Sequence, residues 1–283
     1  MLLLPLLLAS FCLSFATPTQ LTDVISNATI GGQPALSGQW PWQAYITILN
    51  SVTNKTRLCG GCLINDRHIV TAAHCTFGVQ PVNLQVILGS VEPQTDLNAT
   101  LQMYPKWWSM TSTILKSWRI LASPVVYDSN IQPIQILRND TQQNQENSEV
   151  CVTGWGMTSA GVPKPSPILL ETKVPIVNHN YCKIRWMTTK RIALDNTQIC
   201  AGSLGHGTAP GDSGGPLMGQ GLDKKLYLLG LTSFGDNSAV ALGNQKLFPG
   251  LPKGLDQVIN AWISRVYLRL SRVLRVPDHG YGF

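Results

Sequence analysis

The chain has 283 residues and a net charge of +6, and only 13% of its residues are charged, about half the fraction usual in soluble proteins. Its last 20 residues hold four arginines against one aspartate, which gives +3, or half of the net charge. No other basic cluster occurs, so nucleic acid is not an expected partner. The length allows one large domain or two small ones with a sizeable core.

The N-terminal residues 1–16 have the pattern of a signal peptide, with an apolar run at 2–8 and small residues at Ser14 and Ala16. Cleavage after Ala16 is predicted, and an uncleaved anchor is the alternative. No later stretch stays apolar for the ~20 residues of a membrane span. Four glycosylation sequons fit a secretory route: Asn27, Asn54, Asn98 and Asn139. The protein is therefore expected to be secreted, extracellular and glycosylated.

Short apolar or alternating runs recur along the chain and are separated by Gly, Pro and Asn clusters. The runs are 43–48, 62–71, 84–88, 149–153 and 225–233. This spacing is typical of an all-β sandwich or barrel. Near the end, apolar residues recur at i, i+3, i+4 and i+7 from Leu255 to Leu270, which predicts a helix from residue 255. Arg265, Arg269 and Arg272 would form a basic stripe on another face of that helix.

Two short motifs carry the chemistry. His74 lies in the segment TAAHC, and Ser213 lies 139 residues later in the segment GDSGGP. A serine hydroxyl is a poor nucleophile until an imidazole takes its proton, and the N–H groups of Gly211 and Ser213 could bind the oxyanion that forms. Both motifs, in this order and at this separation, resemble the trypsin/chymotrypsin family of serine proteases. The resemblance covers about residues 29–263.

The resemblance implies a chymotrypsin-like all-β fold, in which two six-stranded Greek-key antiparallel barrels flank a cleft and a C-terminal helix packs on them. The implied boundaries are 1–16 for the signal peptide, 17–28 for a short propeptide-like segment, 29–263 for the protease domain (barrels at about 29–125 and 131–254, helix from 255) and 264–283 for a basic C-terminal extension. Peptide bonds would be hydrolysed through an acyl-enzyme on Ser213, with His74 as the base.

Seven cysteines need partners. The resemblance implies two disulfides: Cys59–Cys75 and Cys182–Cys200. Cys12 leaves with the signal peptide, and in the family the cysteine matching Cys151 pairs with one just after GDSGGP, where this chain has Gly219. Cys62 stands where the family usually has serine. One partner lost and one cysteine gained suggest a Cys62–Cys151 bridge, while two free thiols and an intermolecular bridge stay open.

The third member of the catalytic triad is missing from the sequence. The family places its aspartate nine positions before the proline of a Ser-Pro pair, and counting back from Pro124 reaches Leu115. No Asp or Glu occurs from residue 97 to 127. Two explanations stay open: a true loss, or an out-of-frame stretch in the coding sequence at 107–120. A true leucine leaves the imidazole N–H without an acceptor, which predicts very low activity.

The activation segment also departs from the family. Family zymogens are cut to expose a new N-terminus, which would be Thr29 here, and its amine pairs with the aspartate before the nucleophile, Asp212. The preceding residue is Ala28, and no Lys or Arg occurs in residues 1–54. A trypsin-like activator therefore has no site, and a glycan on Asn27 would crowd any protease. Without cleavage, a zymogen-like arrangement of Asp212 is expected.

The specificity pocket implied by the resemblance contains Gly207, Thr208, Phe234, Gly235 and Gly250. Gly207 stands at its base, where trypsin-like members hold aspartate, so a preference for Lys or Arg is not expected. The two wall positions, Gly235 and Gly250, have no side chain to block entry. A neutral, open slot for a large apolar or aromatic side chain is predicted.

Three hypotheses follow. The first is a secreted serine endopeptidase, active as a monomer on protein or peptide substrates and open to protease inhibitors. The second is an inactive homologue that keeps the cleft and acts as a binding protein, supported by Leu115 and the missing activation site. The third is an interaction protein acting through its basic C-terminal helix. No cofactor is expected, and no histidine has the spacing of a metal site.

Overall fold

The computed structural model describes residues 31–97, 99–103, 106–108, 116–137, 146–159, 162–203, 205–235 and 265–270. This part of the chain is mostly β, as predicted. The strands are β1 (Gln33–Pro34), β2 (Gln43–Asn50), β3 (Lys55–Leu63), β4 (His68–Ala72), β5 (Leu84–Leu88), β6 (Thr100–Met103), β7 (Lys106–Trp108), β8 (Lys116–Ile120), β9 (Glu149–Gly154), β10 (Met157–Ser159), β11 (Val162–Pro165), β12 (Leu170–Pro175), β13 (Gln198–Ala201), β14 (Pro216–Gln220), β15 (Leu226–Gly235) and β16 (Arg265–Arg269). The helices are α1 (Ala73–Thr76), α2 (His179–Lys190) and a 3₁₀ turn at Pro81–Asn83.

The first sheet has the strand order β6-β5-β2-β3-β4-β8-β7, and all its pairs are antiparallel. In β5 the buried side chains alternate with half-buried ones, as the two-residue period of a strand requires. The apolar side chains of β2, β4 and β5 form one core, which includes Ile46, Ile69 and Val86. This sheet carries His74 at the end of β4.

The second sheet has the order β1-β12-β9-β14-β15-β16-β13 and is also antiparallel. Its core is a separate cluster that includes Val152, Leu217 and Tyr267. A third cluster joins residues of both sheets, among them Val70 of the first and Met218 of the second. The two sheets thus pack against each other near the active-site segments. His74 follows the end of β4, and Ser213 comes just before the start of β14.

The sheets differ from the predicted barrels in one respect. Among the described residues each sheet has seven strands and stays open, whereas two six-stranded closed barrels were expected. The additional edge strands are short, since β1 has two residues and β7 has three. In the part of the chain that the structure describes, no helix is long and apolar enough to cross a membrane.

The predicted terminal helix is wrong for residues 265–269. This segment is strand β16, which pairs with β13 on one side and β15 on the other. A short apolar run satisfies helical and strand patterns equally, and only pairing with distant strands decides between them. The segment therefore belongs to the sheet instead of a C-terminal extension, and the helical basic stripe does not exist at Arg265 and Arg269. Arg272 and residues 255–264 lie outside the described residues.

Two disulfides hold the fold, and both match the pairs that the resemblance implied. Cys59 in β3 bonds to Cys75 in α1, and Cys182 in α2 bonds to Cys200 in β13. They close segments of 16 and 18 residues, and each cross-link of this length stabilises a fold by about 3 kcal/mol. One disulfide fixes the helix that carries His74, and the other fixes α2 on the second sheet.

Candidate active site

Strand β3 positions His74. The histidine lies in α1, which begins directly after β4, and its neighbour Cys75 is bonded to Cys59 of β3. Arg57, also in β3, donates from Nη2 to the carbonyl oxygen of Cys75 at 3.2 Å. The short helix is therefore held from two points on one strand, and the His74 side chain remains exposed at the sheet end.

The same strand holds Ser213. The Gly60 N–H donates to the carbonyl oxygen of Ser213 at 2.7 Å, and the Thr71 hydroxyl donates to the carbonyl oxygen of Gly60 at 2.7 Å. Gly214 has a φ of +82° and lies so close to Thr71 that a Cβ would collide with its hydroxyl. Only glycine fits there. Thus Gly60 and its neighbour Cys59 bring the serine and histidine segments to one place.

The backbone donors of the serine loop divide into two groups. The N–H groups of Asp212, Gly214 and Gly215 donate to the carbonyl oxygens of Ala209, Thr232 and Asp212 at 2.7–3.0 Å. The N–H groups of Gly211 and Ser213 have no acceptor among the described residues, and Gly211 adopts a φ of +103°. Two donors, separated by the single residue Asp212, are thereby left for an external oxygen, which is what an oxyanion site needs.

Asp212 is fully buried. Its Oδ1 accepts from the Gly156 N–H and its Oδ2 accepts from the Ala209 N–H, both at 2.7 Å. A surface turn position is thus excluded. Gly154 and Gly156 flank the carboxylate so closely that a Cβ on either would collide with it. We call these groups around the Asp212 carboxylate the Asp212 cradle. In the sequence they include the segment GWG at 154–156, but the sequence does not show that this segment contacts Asp212.

The electrostatic setting of His74 lowers the pKa of its imidazole. Partial desolvation of the ring by the surrounding protein is the larger cause, although the residue as a whole is exposed, and the positive charge of Arg57 is the second. Within the described residues no hydrogen bond joins the imidazole to the Ser213 hydroxyl or to a carboxylate. Leu115, at the position expected for the triad aspartate, lies outside the described residues.

The segment after the expected activation site is docked on the second sheet. Gly31 packs against His206 and Gly205, and the Thr172 hydroxyl contacts both the Gly31 carbonyl oxygen at 3.5 Å and the His206 ring at 3.2 Å. Glu171 accepts hydrogen bonds from three side chains of this segment: Gln33, Gln39 and Trp40. Thr29 lies outside the described residues, so its expected pairing with Asp212 stays a prediction.

The predicted pocket residues are partly assembled. Gly207 and Thr208 are buried, and the Thr208 and Tyr267 hydroxyls lie 3.4 Å apart. Phe234 stacks edge to face on Trp186 at 5.2 Å. Tyr267 is fully buried beside Thr208, a contact that the helix prediction did not anticipate.

The structure describes one of the two predicted pocket walls, Gly235. The backbone of Gly235 pairs with Arg265 in β16, while Gly250 lies outside the described residues. The role of the two glycines as pocket walls stays a prediction.

The suggested Cys62–Cys151 bridge is not formed, and both cysteines are free thiols. Cys62 is fully buried in the cluster between the sheets, and Cys151 packs at its edge. Burial raises the pKa of Cys62 well above its ordinary value and raises that of Cys151 to about 12. Both thiols are therefore protonated and poorly reactive.

One group in the described part of the chain has metal-binding atoms close together: Cys59, His74 and Cys75. The two sulfur atoms are bonded to each other. A disulfide sulfur is not a thiolate and does not ligate zinc in the usual way. The group is therefore a histidine beside a disulfide and not a metal centre.

A mostly β chain in which one strand anchors both a histidine and the serine of a GDSGGP loop has the architecture of a serine protease domain. Residues 29–252 match the Trypsin family. Because this match covers most of the chain, the protein belongs to the trypsin family of serine proteases. The match ends before β16, so the last strand is assigned by the structure alone.

Individual relatives agree with the family. The chain is 30% identical to serine proteinase stubble of Drosophila melanogaster over 225 residues, which are 75% of this chain and 28% of that protein. It is 29% identical to Serine protease 7 of Drosophila melanogaster over 234 residues (75% and 59%). It is 32% identical to Chymotrypsin-C of Rattus norvegicus over 246 residues (81% and 85%). The chain thus spans less than two thirds of the first two relatives.

Proposed function

We propose that the protein is a secreted serine endopeptidase that cleaves peptide bonds through an acyl-enzyme on Ser213. The observation that carries this proposal is the state of the serine loop. Asp212 is buried and bonded by two backbone N–H groups, and the N–H groups of Gly211 and Ser213 are left for a substrate oxygen. Two backbone donors without a protein acceptor among the described residues, on either side of a buried aspartate, are the arrangement that an oxyanion site requires.

In the proposed reaction, His74 takes the proton of the Ser213 hydroxyl as its oxygen attacks the substrate carbonyl carbon. The negative oxygen of the tetrahedral intermediate accepts hydrogen bonds from the N–H groups of Gly211 and Ser213. His74 then gives its proton to the leaving amine, and a water molecule hydrolyses the ester by the same steps. The lowered pKa of His74 favours the neutral imidazole, which is the form that a base must have.

The substrate preference that we propose is an apolar or aromatic side chain, because Gly207 provides no charge at the pocket base. Thr208 makes the base polar on one side, through its contact with Tyr267. Secretion is proposed from the signal-peptide pattern, the sequons and the two disulfides, since disulfides persist in oxidising compartments. Peptide substrates and protease inhibitors are the proposed partners, and a monomer is the proposed state.

A second candidate is a binding protein on a protease scaffold. It is favoured by one specific observation, the absence of Asp and Glu from residues 97–127 of the sequence. In a serine protease triad, replacing the aspartate by asparagine lowers kcat about 10⁴-fold, because the imidazole loses its correct tautomer. Such a protein would bind peptides in the cleft and release them uncut.

Labelling of the purified secreted protein with a fluorophosphonate probe separates these candidates. The probe reacts with a serine that has both a working base and an organised oxyanion site. Labelling that disappears in Ser213→Ala supports the peptidase. A folded protein that stays unlabelled, with the two disulfides intact by mass spectrometry, contradicts the peptidase and favours the binding protein.

A further inference from the structure

An exposed arginine lies beside the histidine segment of the candidate site. Arg57 is in β3 close to Cys59, and its Nη2 atom lies 3.2 Å from the carbonyl oxygen of Cys75 and 3.5 Å from that of His74. A guanidinium group has five N–H donors, and within the described part of the chain only Nη2 of Arg57 donates to a protein group. The remaining donors are therefore available to a ligand.

The positive charge of Arg57 is not neutralised by any residue that the structure describes. Residues 24–65 and 67–91 contain no Asp or Glu, so strands β2 to β5 and helix α1 have no carboxylate. Arg57 forms no ion pair with a described residue, and both of its acceptors are neutral carbonyl groups. Its charge also acts at the reaction centre, since it is one of the two causes that lower the pKa of the His74 imidazole. An anionic group that binds near His74 is therefore attracted to Arg57.

The proposed reaction fixes which part of a peptide passes Arg57. The residue that precedes the scissile bond would enter the proposed pocket at Gly207, whereas the leaving amine takes its proton from His74 and must lie beside the imidazole. The disulfide that fixes α1 is on the same side, since its Cys75 Sγ lies 3.5 Å from the carbonyl oxygen of Ser213. The residues that follow the scissile bond therefore run along α1 and the neighbouring part of β3.

The next residue of β3, Leu58, borders the oxyanion donors. Its Cδ2 atom lies 3.5 Å from the point that a Cβ on Gly211 would occupy, and its side chain is half-buried. Successive residues of a strand face opposite sides, so Arg57 and Leu58 serve different sides of the same short stretch. This part of β3 thus meets the oxyanion site with an apolar group and the α1 side with a positive one.

We propose that Arg57 is a specificity-determining residue, which selects peptides with Asp or Glu at one of the first two positions after the scissile bond. An extended peptide advances about 3.3 Å per residue, so these two positions are the ones within reach of a group that contacts His74 and Cys75. A guanidinium group binds a carboxylate through two parallel hydrogen bonds. The role in substrate choice rests on the proposed peptidase function, whereas the binding itself does not require turnover.

A peptide carboxylate fits this place better than a sulfated glycan does. A polyanion gains affinity from many cations along its length, and residues 43–63 contain only two, Lys55 and Arg57. A single carboxylate needs one guanidinium group with free donors, which Arg57 provides.

Two pairs of rhodamine-labelled peptides test the proposal without turnover. Each peptide carries one Phe for the proposed pocket, and the members of a pair differ only by Asp or Asn, at the first or at the second position after Phe. Fluorescence anisotropy at low ionic strength gives their Kd values with the intact Ser213→Ala protein. In at least one pair the Asp peptide should bind about fivefold more tightly than the Asn peptide. The ratio of Kd values within a pair does not depend on the fraction of folded protein, so it reports on the carboxylate alone.

Variants of two arginines assign this ratio. In the Ser213→Ala background, Arg57→Gln should abolish the difference between the peptides, and Arg57→Glu should invert it, because the two carboxylates would repel each other. The matched control is Arg67→Gln, which removes the same charge from an exposed arginine just before β4, at the end of that strand away from His74. This control should keep the wild-type ratio.

Several results would overturn the proposal. If Arg67→Gln lowered the ratio as much as Arg57→Gln, the peptides would follow net charge alone. Equal Kd values within both pairs, or no binding of any peptide at low ionic strength, would show that Arg57 selects no carboxylate. Heparin binding that is lost in Arg57→Gln, without a preference for Asp, would assign the arginine to a polyanion. Fluorophosphonate labelling of Ser213 without a preference for Asp contradicts only the role of Arg57, and a preference for Asp without labelling contradicts only the peptidase.

Discussion

The serine side and the histidine side of the candidate site are held together by different means. On the serine side, Asp212 and its neighbours are fixed by backbone N–H groups of Gly156 and Ala209, so the geometry depends on the path of the chain. On the histidine side, α1 is fixed by a disulfide and by Arg57, but the imidazole needs one more side chain to hold its tautomer. That side chain must come from a distant segment.

This contrast explains which half of the site tolerates divergence. A backbone cradle survives most substitutions, because every residue supplies an N–H group, provided that glycine remains at Gly154, Gly156 and Gly214. A carboxylate on a distant strand is lost through a single substitution or a local change of reading frame. The serine side is thus expected to be intact in this protein while the histidine side is weakened.

The largest effect should come from restoring the missing group. Leu115→Asp is expected to raise the rate of fluorophosphonate labelling by up to about 10⁴-fold, because a carboxylate would orient the His74 ring and stabilise its protonated form. The rate is measured by gel fluorescence over time with wild type in parallel.

Two controls make this result specific. The gain must vanish in a His74→Ala background, since the carboxylate acts only through the imidazole, and Leu115→Asn should give a much smaller gain. A folded Leu115→Asp protein with no gain would show that residue 115 does not reach His74, and the contrast between the two sides would then have another cause.

The same contrast accounts for what the sequence could predict. The two disulfides could be predicted only through the resemblance to the trypsin/chymotrypsin family, because cysteine spacing alone leaves several pairings open. The role of Asp212 came from the GDSGGP motif through the same resemblance. The strand at Arg265–Arg269 was mistaken for a helix because its partners, β13 and β15, are far away in the chain. Tyr267 is fully buried in that strand, a burial that fits either structure equally well.

Side-chain contacts to backbone carbonyl groups could not be predicted from the sequence either. Arg57 holds the carbonyl oxygen of Cys75 and lowers the pKa of His74, yet no pattern of residue types marks an arginine that binds a carbonyl group. Similarly, the Cys62–Cys151 bridge was suggested by counting cysteines, whereas the two thiols lie on different sheets and are not bonded to each other. Counting gives the number of possible partners but not their positions.

A smaller effect is expected from the serine side. Asp212→Asn places an NH₂ group against one of the two backbone donors, so a buried N–H group loses its acceptor. The free energy of unfolding should fall by about 1–3 kcal/mol, and the labelling rate should fall about 10²-fold as the oxyanion donors lose their positions. Urea denaturation and labelling measure the two effects.

The matched control is Asp223→Asn. Asp223 is exposed, and it also accepts hydrogen bonds, from Tyr227 and from the Lys225 N–H, but water can replace these partners. The free energy of unfolding of the Asp223→Asn variant should differ from that of wild type by less than about 0.5 kcal/mol. If Asp212→Asn changed the free energy of unfolding as little as this control does, the Asp212 cradle would not organise the serine loop. The inference that the serine side is intact would then be wrong.

The smallest expected effect distinguishes the positive charge of Arg57 from its hydrogen bond to the Cys75 carbonyl oxygen on the histidine side. The positive charge of Arg57 is one of two causes that lower the pKa of His74, so Arg57→Gln should raise this pKa. Because the neutral imidazole is the base, the labelling rate should then rise with pH through a midpoint higher than in wild type. Low ionic strength keeps the exposed charge effective. Arg57→Lys retains the charge and should keep the wild-type midpoint; equal shifts in both variants would assign the effect to the hydrogen bond with Cys75.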